Sequence, residues 1–253
     1  SLTAKKYDAI VSQPSHPWSA GASHLYTREF LQLVRQRLTD DGVFLQWMNS
    51  HYVDRELLRS LGATLLDSFE NVRVYQPHNG TLLFLASQSP LDVERQIVET
   101  GLPLRKGLKA FRWLGLNTVY DVAATLAVEH DGLKAFCEGA APLTDNRNSL
   151  ATRAAELSDK ALLQEAETVF HDFDPLIARD GQPSLITRLN LQPAKVVRAL
   201  ALMQMRKRAR SVTEAIPESV DRLLADGFLA AYSGQTEEAR RYFESVLQLD
   251  PHN

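Results

Sequence analysis

Residues 7–18 read YDAIVSQPSHPW, and this stretch decides how the first part of the chain folds. The apolar run AIV at 9–11 is short and is followed by polar residues and a proline, which predicts a buried parallel β-strand. Residues 14–23 contain two prolines and one glycine, a composition typical of a loop. Because ligands of open α/β sheets bind beyond the carboxyl ends of the strands, this loop is the first candidate for a binding site.

The alternation of apolar strands and amphipathic helices continues to about residue 90. Asp41-Gly42 is expected to end the first helix, with the glycine in a left-handed cap, and Gly62 inside the second costs roughly 1 kcal/mol relative to alanine. Asn79-Gly80 lies between two apolar runs and is a strong hairpin signal. The predicted elements are a helix at 27–38, a buried strand at 43–48, a helix at 54–69, and hairpin strands at 72–75 and 82–86.

This order of elements predicts an α/β fold, a partial methyltransferase-type Rossmann sheet whose parallel strands end in an antiparallel hairpin, followed by an all-helical region. Such a sheet normally begins with a strand, a glycine-rich turn and a helix that bind the nucleotide. No such turn occurs in the sequence. We therefore expect the chain to be a C-terminal fragment, with the first half of the sheet upstream of Ser1.

Residues 7–30, YDAIVSQPSHPWSAGASHLYTREF, resemble the spermidine/spermine synthase family, and GVFLQW at 42–47 extends the match. The large bacterial branch of that family, whose members read roughly YDVIISDPSNPWVAGVSNLFTREFY, is the most similar. The resemblance covers residues 5–90 and is weaker at 142–146, PLTDN, where relatives often have NTDD. It implies a transferase that moves an aminopropyl group from decarboxylated S-adenosylmethionine to an amine of a polyamine.

The resemblance also shows where this chain departs from the family's chemistry. In the family, aspartates of this loop bind the cationic polyamine and accept a proton from its attacking amine. Gln13 occupies the place of the first aspartate, and an amide has neither charge nor useful basicity. His16 matches the second and could accept a proton near neutral pH. We therefore assign no catalytic residue and expect no aminopropyl transfer.

Any pocket that survives should still lie at this loop and after the second strand. The expected binding residues are Gln13, Ser15, His16, Trp18 and Gln46. Three of them have a simpler alternative: Trp18 could pack in the core, His16 could be a solvated loop residue, and Gln46 could only satisfy backbone groups at the end of a strand.

From residue 91 onward the sequence predicts helices without strands. The expected domains are the second half of the Rossmann-like domain at 1–90, a helical extension at 91–150, and a helical domain at 151–253. The basic run 206–210, RKRAR, is interpreted as a helix C-terminus favoured by the helix dipole. The helices are expected at 91–99, 104–114, 118–130, 132–137, 157–170 and 194–205.

The last 34 residues, 220–253, resemble one tetratricopeptide repeat. In that repeat small residues let two antiparallel helices approach, and an aromatic residue fills the gap between them. The matching positions are Gly227, Ala230, Ala239, Phe243, Val246 and Pro251. One repeat cannot bury its own face, so an ordinary helical hairpin is the alternative. The repeat favours a second functional hypothesis, a non-catalytic module that binds a protein partner through its helical tail.

Composition excludes several classes of function. The formal net charge is −3, which disfavours a nucleic-acid partner. The single cysteine, Cys137, excludes an internal disulfide and a multi-cysteine metal site. His171, Asp172 and Asp174 lie close together, but without further ligands they are interpreted as turn residues, and no metal is expected.

The expectations for cofactor and location follow from the same features. We expect no cofactor in this chain, while the resemblance implies decarboxylated S-adenosylmethionine or S-adenosylmethionine for a full-length protein. No run of about 18 apolar residues occurs, so this stretch is not expected to span a membrane. The expected location is cytoplasmic, and the resemblance allows an upstream membrane domain that would tether the protein.

Overall fold

The chain folds into two compact units, the first formed by Ser1–Leu91 with Ala127–Asp174 and the second by Asp92–Leu126 with Pro175–Asn253. The computed structural model describes residues 5–14, 16, 17, 19, 21–101, 116–153, 166–179 and 181–251. Two predicted segments, the basic helix at 104–114 and most of the helix at 157–170, lie outside these residues. The domain boundaries at 90 and 150 stay predictions.

The first unit is built on a five-stranded sheet with the order β1-β2-β4-β3-β5. β1 and β2 are parallel, whereas β4 pairs antiparallel with both β2 and β3. The predicted fold class is therefore confirmed: a mixed α/β, methyltransferase-type Rossmann arrangement, in which parallel strands are followed by an antiparallel hairpin. The strands are β1 (Tyr7–Ser12), β2 (Leu38–Asn49), β3 (Asn71–His78), β4 (Thr81–Ser87) and β5 (Leu126–Val128).

Two amphipathic helices connect the first strands, α1 (Arg28–Arg37) and α2 (Arg55–Ser68). Asp54 caps α2 by accepting a hydrogen bond from the backbone of Leu57 at 2.8 Å. The leucine stripe of α2 and alternate residues of the strands are fully buried and form one apolar core. Its central members are Leu57, Leu58, Leu61, Leu65, Phe44, Met48, Val72, Val74 and Phe84.

The prediction that β1 is a buried strand is wrong. β1 lies at the edge of the sheet, with β2 as its neighbour on one side. Val11 is consequently 66% exposed and Tyr7 37% exposed. An apolar run predicts that a strand forms, but burial on both faces depends on neighbours that the run itself does not specify.

The predicted end of the first helix, at residue 38, agrees with the structure within one residue, but the predicted glycine cap at Asp41-Gly42 is wrong. α1 ends at Arg37, and β2 begins at once with Leu38, so that Asp41-Gly42 lies within the strand. Gly42 is not among the glycines with positive φ. A Cβ at Gly42 would lie 3.0 Å from the carbonyl oxygen of Tyr7, at an irregularity in the β1–β2 register. The backbone nitrogen and oxygen of Thr39 lie at the same 3.0 Å, so glycine is favoured here by close backbone contacts from β1 and from β2 itself rather than as a helix cap.

Strands do not disappear after residue 91, contrary to the prediction. The segment expected to be helical at 118–130 is instead α4 (Val119–Thr125) followed directly by β5. The Thr118 and Asp121 side chains form a capping box that begins α4. Leu126 has extended backbone angles and ends the helix, and the chain then runs beside β3 before α5 (His130–Phe136). The three apolar residues of β5 are too few to distinguish a buried strand from a helix by periodicity.

After α5, the described part of the first unit contains one more helix and a 3-10 turn. It contains α6 (Ser149–Arg153), whose Arg153 forms ion pairs with Asp54 at 2.6 Å and Glu56 at 2.7 Å. A 3-10 turn at His171–Phe173 supports the interpretation of that segment as a turn.

The second unit is helical in its described residues. Besides α4, its helices are α3 (Val93–Thr100), α7 (Leu185–Arg188), α8 (Pro193–Leu202), α9 (Arg206–Glu214), α10 (Val220–Tyr232) and α11 (Thr236–Leu249). Buried apolar residues lie where α8 packs against α4, α9 and α10.

The basic run 206–210 begins α9 instead of ending α8, so its interpretation as a helix C-terminus is wrong. Positive charge in the first turn of a helix is opposed by the helix dipole. Arg208 explains the arrangement, because its buried guanidinium donates to the backbone carbonyls of Ala124, at 2.6 Å, and Leu126. The positive charge of Arg208 thus stabilises the C-terminal end of α4, not the C-terminal end of α8, which precedes Arg208 in the chain.

α10 and α11 form the helical hairpin that the sequence indicates at 220–253. Gly234, with φ of 79°, makes the turn between them. A Cβ at Gly227 would lie 2.6 Å from the ring of Phe243, so the small residue does face the aromatic one. Phe243 also packs edge-to-face with Phe228, with ring centroids 5.6 Å apart. The hairpin is observed, while its classification as a tetratricopeptide repeat stays a prediction.

Candidate functional site

The loop after β1 is a series of tight turns at the carboxyl ends of β1 and β2. The backbone N–H of Ser19 donates to the carbonyl of His16 at 3.1 Å, and that of Ala22 donates to Ser19 at 2.9 Å. The second turn leads into a 3-10 helix, Ala22–Tyr26, which ends just before α1. The fold therefore places this loop at the end of the sheet where ligands of α/β proteins bind.

The predicted binding residues occupy different environments in this region. Gln13 and His16 are exposed, whereas Gln46 is buried, with 1% of its surface accessible. Ser15 and Trp18 lie outside the described residues. The His16 ring packs near that of Tyr52, with centroids 5.5 Å apart. Their role in binding stays a prediction.

Gln46 is placed at the point where β1 ends, since it pairs in register with Ser12. Its amide nitrogen donates to the backbone carbonyls of Ser12 at 3.4 Å and Trp47 at 3.2 Å. The amide nitrogen of Gln46 therefore does satisfy backbone groups at the end of a strand, as the alternative interpretation proposes. Its amide oxygen Oε1 is buried and has no hydrogen-bond partner among the described residues.

Tyr26 belongs to the same region and was not singled out from the sequence. Its side chain is 1% exposed, and its hydroxyl also lacks a partner within the described structure. Burial, with a smaller contribution from Tyr52, raises the pKa of Tyr26 well above its usual range, so the hydroxyl stays protonated. The only sequence signal was an aromatic residue directly before the N-cap position Thr27, which is equally typical of a packing contact.

Asp145 approaches the other end of the 3-10 helix. Its Oδ1 accepts hydrogen bonds from Thr27 at 2.8 Å and from His24 Nδ1 at 3.0 Å. Its backbone N–H donates to Glu29 at 3.0 Å. The hydrogen bonds from His24 and then Thr27 lower the pKa of the Asp145 carboxyl group. Asp145 is a turn residue, between Thr144 and Arg147, and its side chain also fastens the segment 142–148 to the start of α1.

Replacing Asp145 by asparagine should lower the free energy of unfolding by no more than about 1 kcal/mol at pH 7, because the carboxylate is exposed and screened by solvent. The pKa of the Asp145 carboxyl group is lower in the folded state than in the unfolded state, where it is about 3.9. Its contribution to the free energy of unfolding is therefore fully present above about pH 3.9. The contribution is lost as the pH falls through the lower folded value. Urea denaturation of both proteins between pH 7 and pH 3 measures this. A difference that grows on acidification would contradict the assignment.

A separate groove lies between α2 and α5 and includes the buried Cys137. Burial raises the pKa of the Cys137 thiol to about 12, so it is not a nucleophile at neutral pH. The lining residues are Ala63, Leu66, Asp67, Asp131, Lys134, Ala135, Cys137, Glu138, Ala140 and Pro142. Nothing in this groove was predicted from the sequence.

The described residues contain neither a metal-binding cluster nor a membrane-spanning helix. No group of three or more histidine, cysteine, aspartate or glutamate side chains could hold a metal ion there. No helix within the described ranges is long and apolar enough to cross a membrane.

Comparison with known proteins agrees with the geometry of the first unit. Residues 1–79 match the family model of the spermine/spermidine synthase domain. The match covers the loop after β1, both parallel strands, α1, α2 and β3, that is, 79 of the 253 residues. No curated protein matches the chain. The first unit is thus similar to a spermidine-synthase-like domain.

Proposed function

We propose that the first unit is aminopropyltransferase-related but does not transfer an aminopropyl group to polyamines. The observation that supports this most directly is Gln13, an exposed amide at the position where the resembling family has its first loop aspartate. The match of residues 1–79 to the spermine/spermidine synthase domain supports the alignment on which this depends.

The physical reason is the charge of the substrate. A polyamine consists of ammonium groups, so its binding requires carboxylates, and one of them must accept the proton of the attacking amine. Gln13 can do neither, and His16, when protonated, repels a cation. Asp145, the carboxylate near the 3-10 helix, already accepts hydrogen bonds from His24 and Thr27.

Product formation tests this proposal. The full-length protein is incubated with decarboxylated S-adenosylmethionine and either 1,4-diaminobutane or spermidine, and the products are analysed by mass spectrometry. We expect no aminopropylated product, because neither cation attraction nor a proton acceptor is present at position 13. Turnover with either amine would contradict the proposal.

A second candidate function is a non-catalytic module that binds a protein partner through α10 and α11. The observation that favours it is the exposure of two apolar side chains in the last turn of α11, where Leu247 is 51% and Leu249 is 66% exposed. Exposed leucines at the end of a helical hairpin are typical of a surface on which a further helix packs.

Substitution of these leucines tests the second candidate. The double variant Leu247→Lys/Leu249→Lys should lose a partner that the natural chain captures from its cell of origin. Gln248→Lys, which adds one charge to the same exposed stretch of α11, is the matched control and should retain the partner. Identical sets of captured proteins for all three chains would count against this function.

The location and cofactor of a full-length protein are part of the proposal. The resemblance supports a cytoplasmic unit tethered through an upstream membrane domain, with S-adenosylmethionine or its decarboxylated form as the cofactor. Fractionation of cells that produce the natural protein would test the location, since a tethered protein sediments with the membranes.

A further inference from the structure

Charge is unevenly distributed along the second unit. Residues 181–213 contain no acidic residue, whereas 31 acidic residues in a chain of 253 correspond to about four in a segment of this length. The same segment contains seven cations, at positions 188, 195, 198, 206, 207, 208 and 210. Arg208 is buried and binds the end of α4, but the other six are exposed. The segment therefore carries positive surface charge without an acidic counterpart of its own.

Two of these cations are neighbours where α8 and the start of α9 pack against α10. The guanidinium group of Arg198 lies over the ring of Phe228, 5.9 Å from its centroid. Arg206 donates a hydrogen bond to the backbone carbonyl of Tyr232 at 3.5 Å. Phe228 and Tyr232 are four residues apart on α10 and therefore lie on the same side of that helix, about one turn from each other. The two arginines are thus separated by about one turn of α10.

Apolar side chains are exposed next to these arginines. Leu202 ends α8, four residues after Arg198 and four before Arg206, and it is 50% exposed. Tyr232 is 36% exposed. Lys195 lies three residues before Arg198 and hence on the same side of α8, so it extends the row of cations. We call Lys195, Arg198, Leu202, Arg206 and Tyr232 the basic face.

The acidic residues of the flanking helices lie away from the basic face. Asp226 is two residues before Phe228, so it points to the other side of α10, where it pairs with Arg222 at 3.1 Å. Glu214 ends α9, eight residues and therefore about 12 Å along the helix from Arg206. The positive charge of the basic face is consequently available to an anionic partner.

We propose that the basic face docks the second unit onto an anionic lipid surface. Each lysine or arginine near such a surface strengthens binding about fivefold, and long cationic side chains keep their charge among the headgroups while apolar neighbours enter the acyl boundary. A nucleic acid would offer Leu202 no apolar surroundings. An acidic protein would need carboxylates at the spacing of these particular cations, whereas lipid headgroups move laterally to them. The proposal does not depend on the function of the first unit.

Sedimentation with vesicles tests the proposal. The whole chain is mixed with vesicles of phosphatidylcholine alone, or of phosphatidylcholine with one-quarter phosphatidylglycerol, and the bound fraction is measured in the pellet. We expect binding to the anionic vesicles and none to phosphatidylcholine. Binding should weaken at least about tenfold when the salt concentration rises from about 0.05 M to about 0.5 M, because salt screens the attraction between exposed charges.

Variants with a matched control locate the surface. The double variant Arg198→Glu/Arg206→Glu should weaken binding to the anionic vesicles at least about twentyfold, because two attractions become repulsions. Arg240→Glu/Arg241→Glu makes the same change in net charge at exposed positions of α11 and should weaken it less than about threefold. Leu202→Ser changes no charge and should weaken it about three- to tenfold, because one apolar contact with the lipid is lost. Circular dichroism checks that each variant is folded.

Several results would overturn the proposal. Absence of binding to the anionic vesicles would do so, and equal weakening by the two double variants would show that net charge alone is responsible. If Arg198→Glu/Arg206→Glu does not fold, unchanged binding of Leu202→Ser has the same force. A fluorescent oligoglutamate peptide is titrated in parallel. Its binding to the natural chain, without binding of the chain to vesicles, would assign the basic face to an acidic protein segment instead.

Discussion

Replacing Arg208 by methionine is expected to lower the free energy of unfolding of the second unit by about 2–6 kcal/mol, since two buried carbonyls each lose a donor at about 1–3 kcal/mol. Methionine retains much of the apolar volume, but it leaves the carbonyls of Ala124 and Leu126 without their donors. Both carbonyls lie at the C-terminal end of α4, where the helix supplies no further donor. Denaturation in urea, followed by circular dichroism, measures the change.

Arg210→Met is the matched control, since Arg210 lies two residues further along the same helix and is exposed. Its free energy of unfolding should change by no more than about 0.5 kcal/mol. Equal effects of the two substitutions would show that Arg208 contributes only general charge or helix propensity, which would contradict its role at the end of α4.

Gly62→Ala should destabilise the first unit by about 1–2 kcal/mol, although alanine is favoured over glycine in a helix by roughly 1 kcal/mol. A Cβ at this position would lie 2.5 Å from Cys137 Sγ and 3.3 Å from Leu133 Cδ1, both inside the core. The glycine in the middle of α2 is therefore explained by the packing of α5 against it.

A double-mutant cycle tests that explanation. Cys137→Ala removes the sulfur atom and should relieve the contact, so Gly62→Ala/Cys137→Ala should be more stable than the sum of the single changes predicts. We expect a coupling free energy of about 1–3 kcal/mol. Additive effects would mean that the strain lies elsewhere in the helix.

The sequence predicted the elements whose signals are local. The apolar runs, the Asp54 cap and Asn79-Gly80 specify β1 to β4 and α2, and each of these was found. The order of these elements along the chain was also enough for the fold class, because the rules for connecting parallel strands leave few arrangements.

The errors occurred where distant residues decide the outcome. β5 is three residues long, and its pairing with the sheet is not encoded in its own periodicity. Arg208 binds carbonyls more than 80 residues away, at the end of α4. Its charge alone therefore suggested, wrongly, that the basic run ends α8. Gly42 is favoured partly by a contact with β1 that only the register of the two strands reveals.

The candidate site was predicted in part for the same reason. The loop and Gln46 follow from the rule that ligands bind beyond the carboxyl ends of strands. Tyr26 and the contact between His24 and Asp145 were missed, because 121 residues separate that histidine from its partner. Burial without a hydrogen-bond partner, which makes Tyr26 informative, is a property of the folded structure only.

Calorimetric titration with 1,4-diaminobutane tests the central claim most directly. The natural chain is compared with Gln13→Asp, and with Gln36→Asp as a control that adds the same charge on an exposed position of α1. A new carboxylate in the loop should gain a charge-assisted hydrogen bond to the diamine, at least about a tenfold increase in affinity. We predict no saturable binding to the natural chain or to Gln36→Asp, and saturable binding to Gln13→Asp. Saturable binding to the natural chain, unchanged by the aspartate at position 13, would contradict the account.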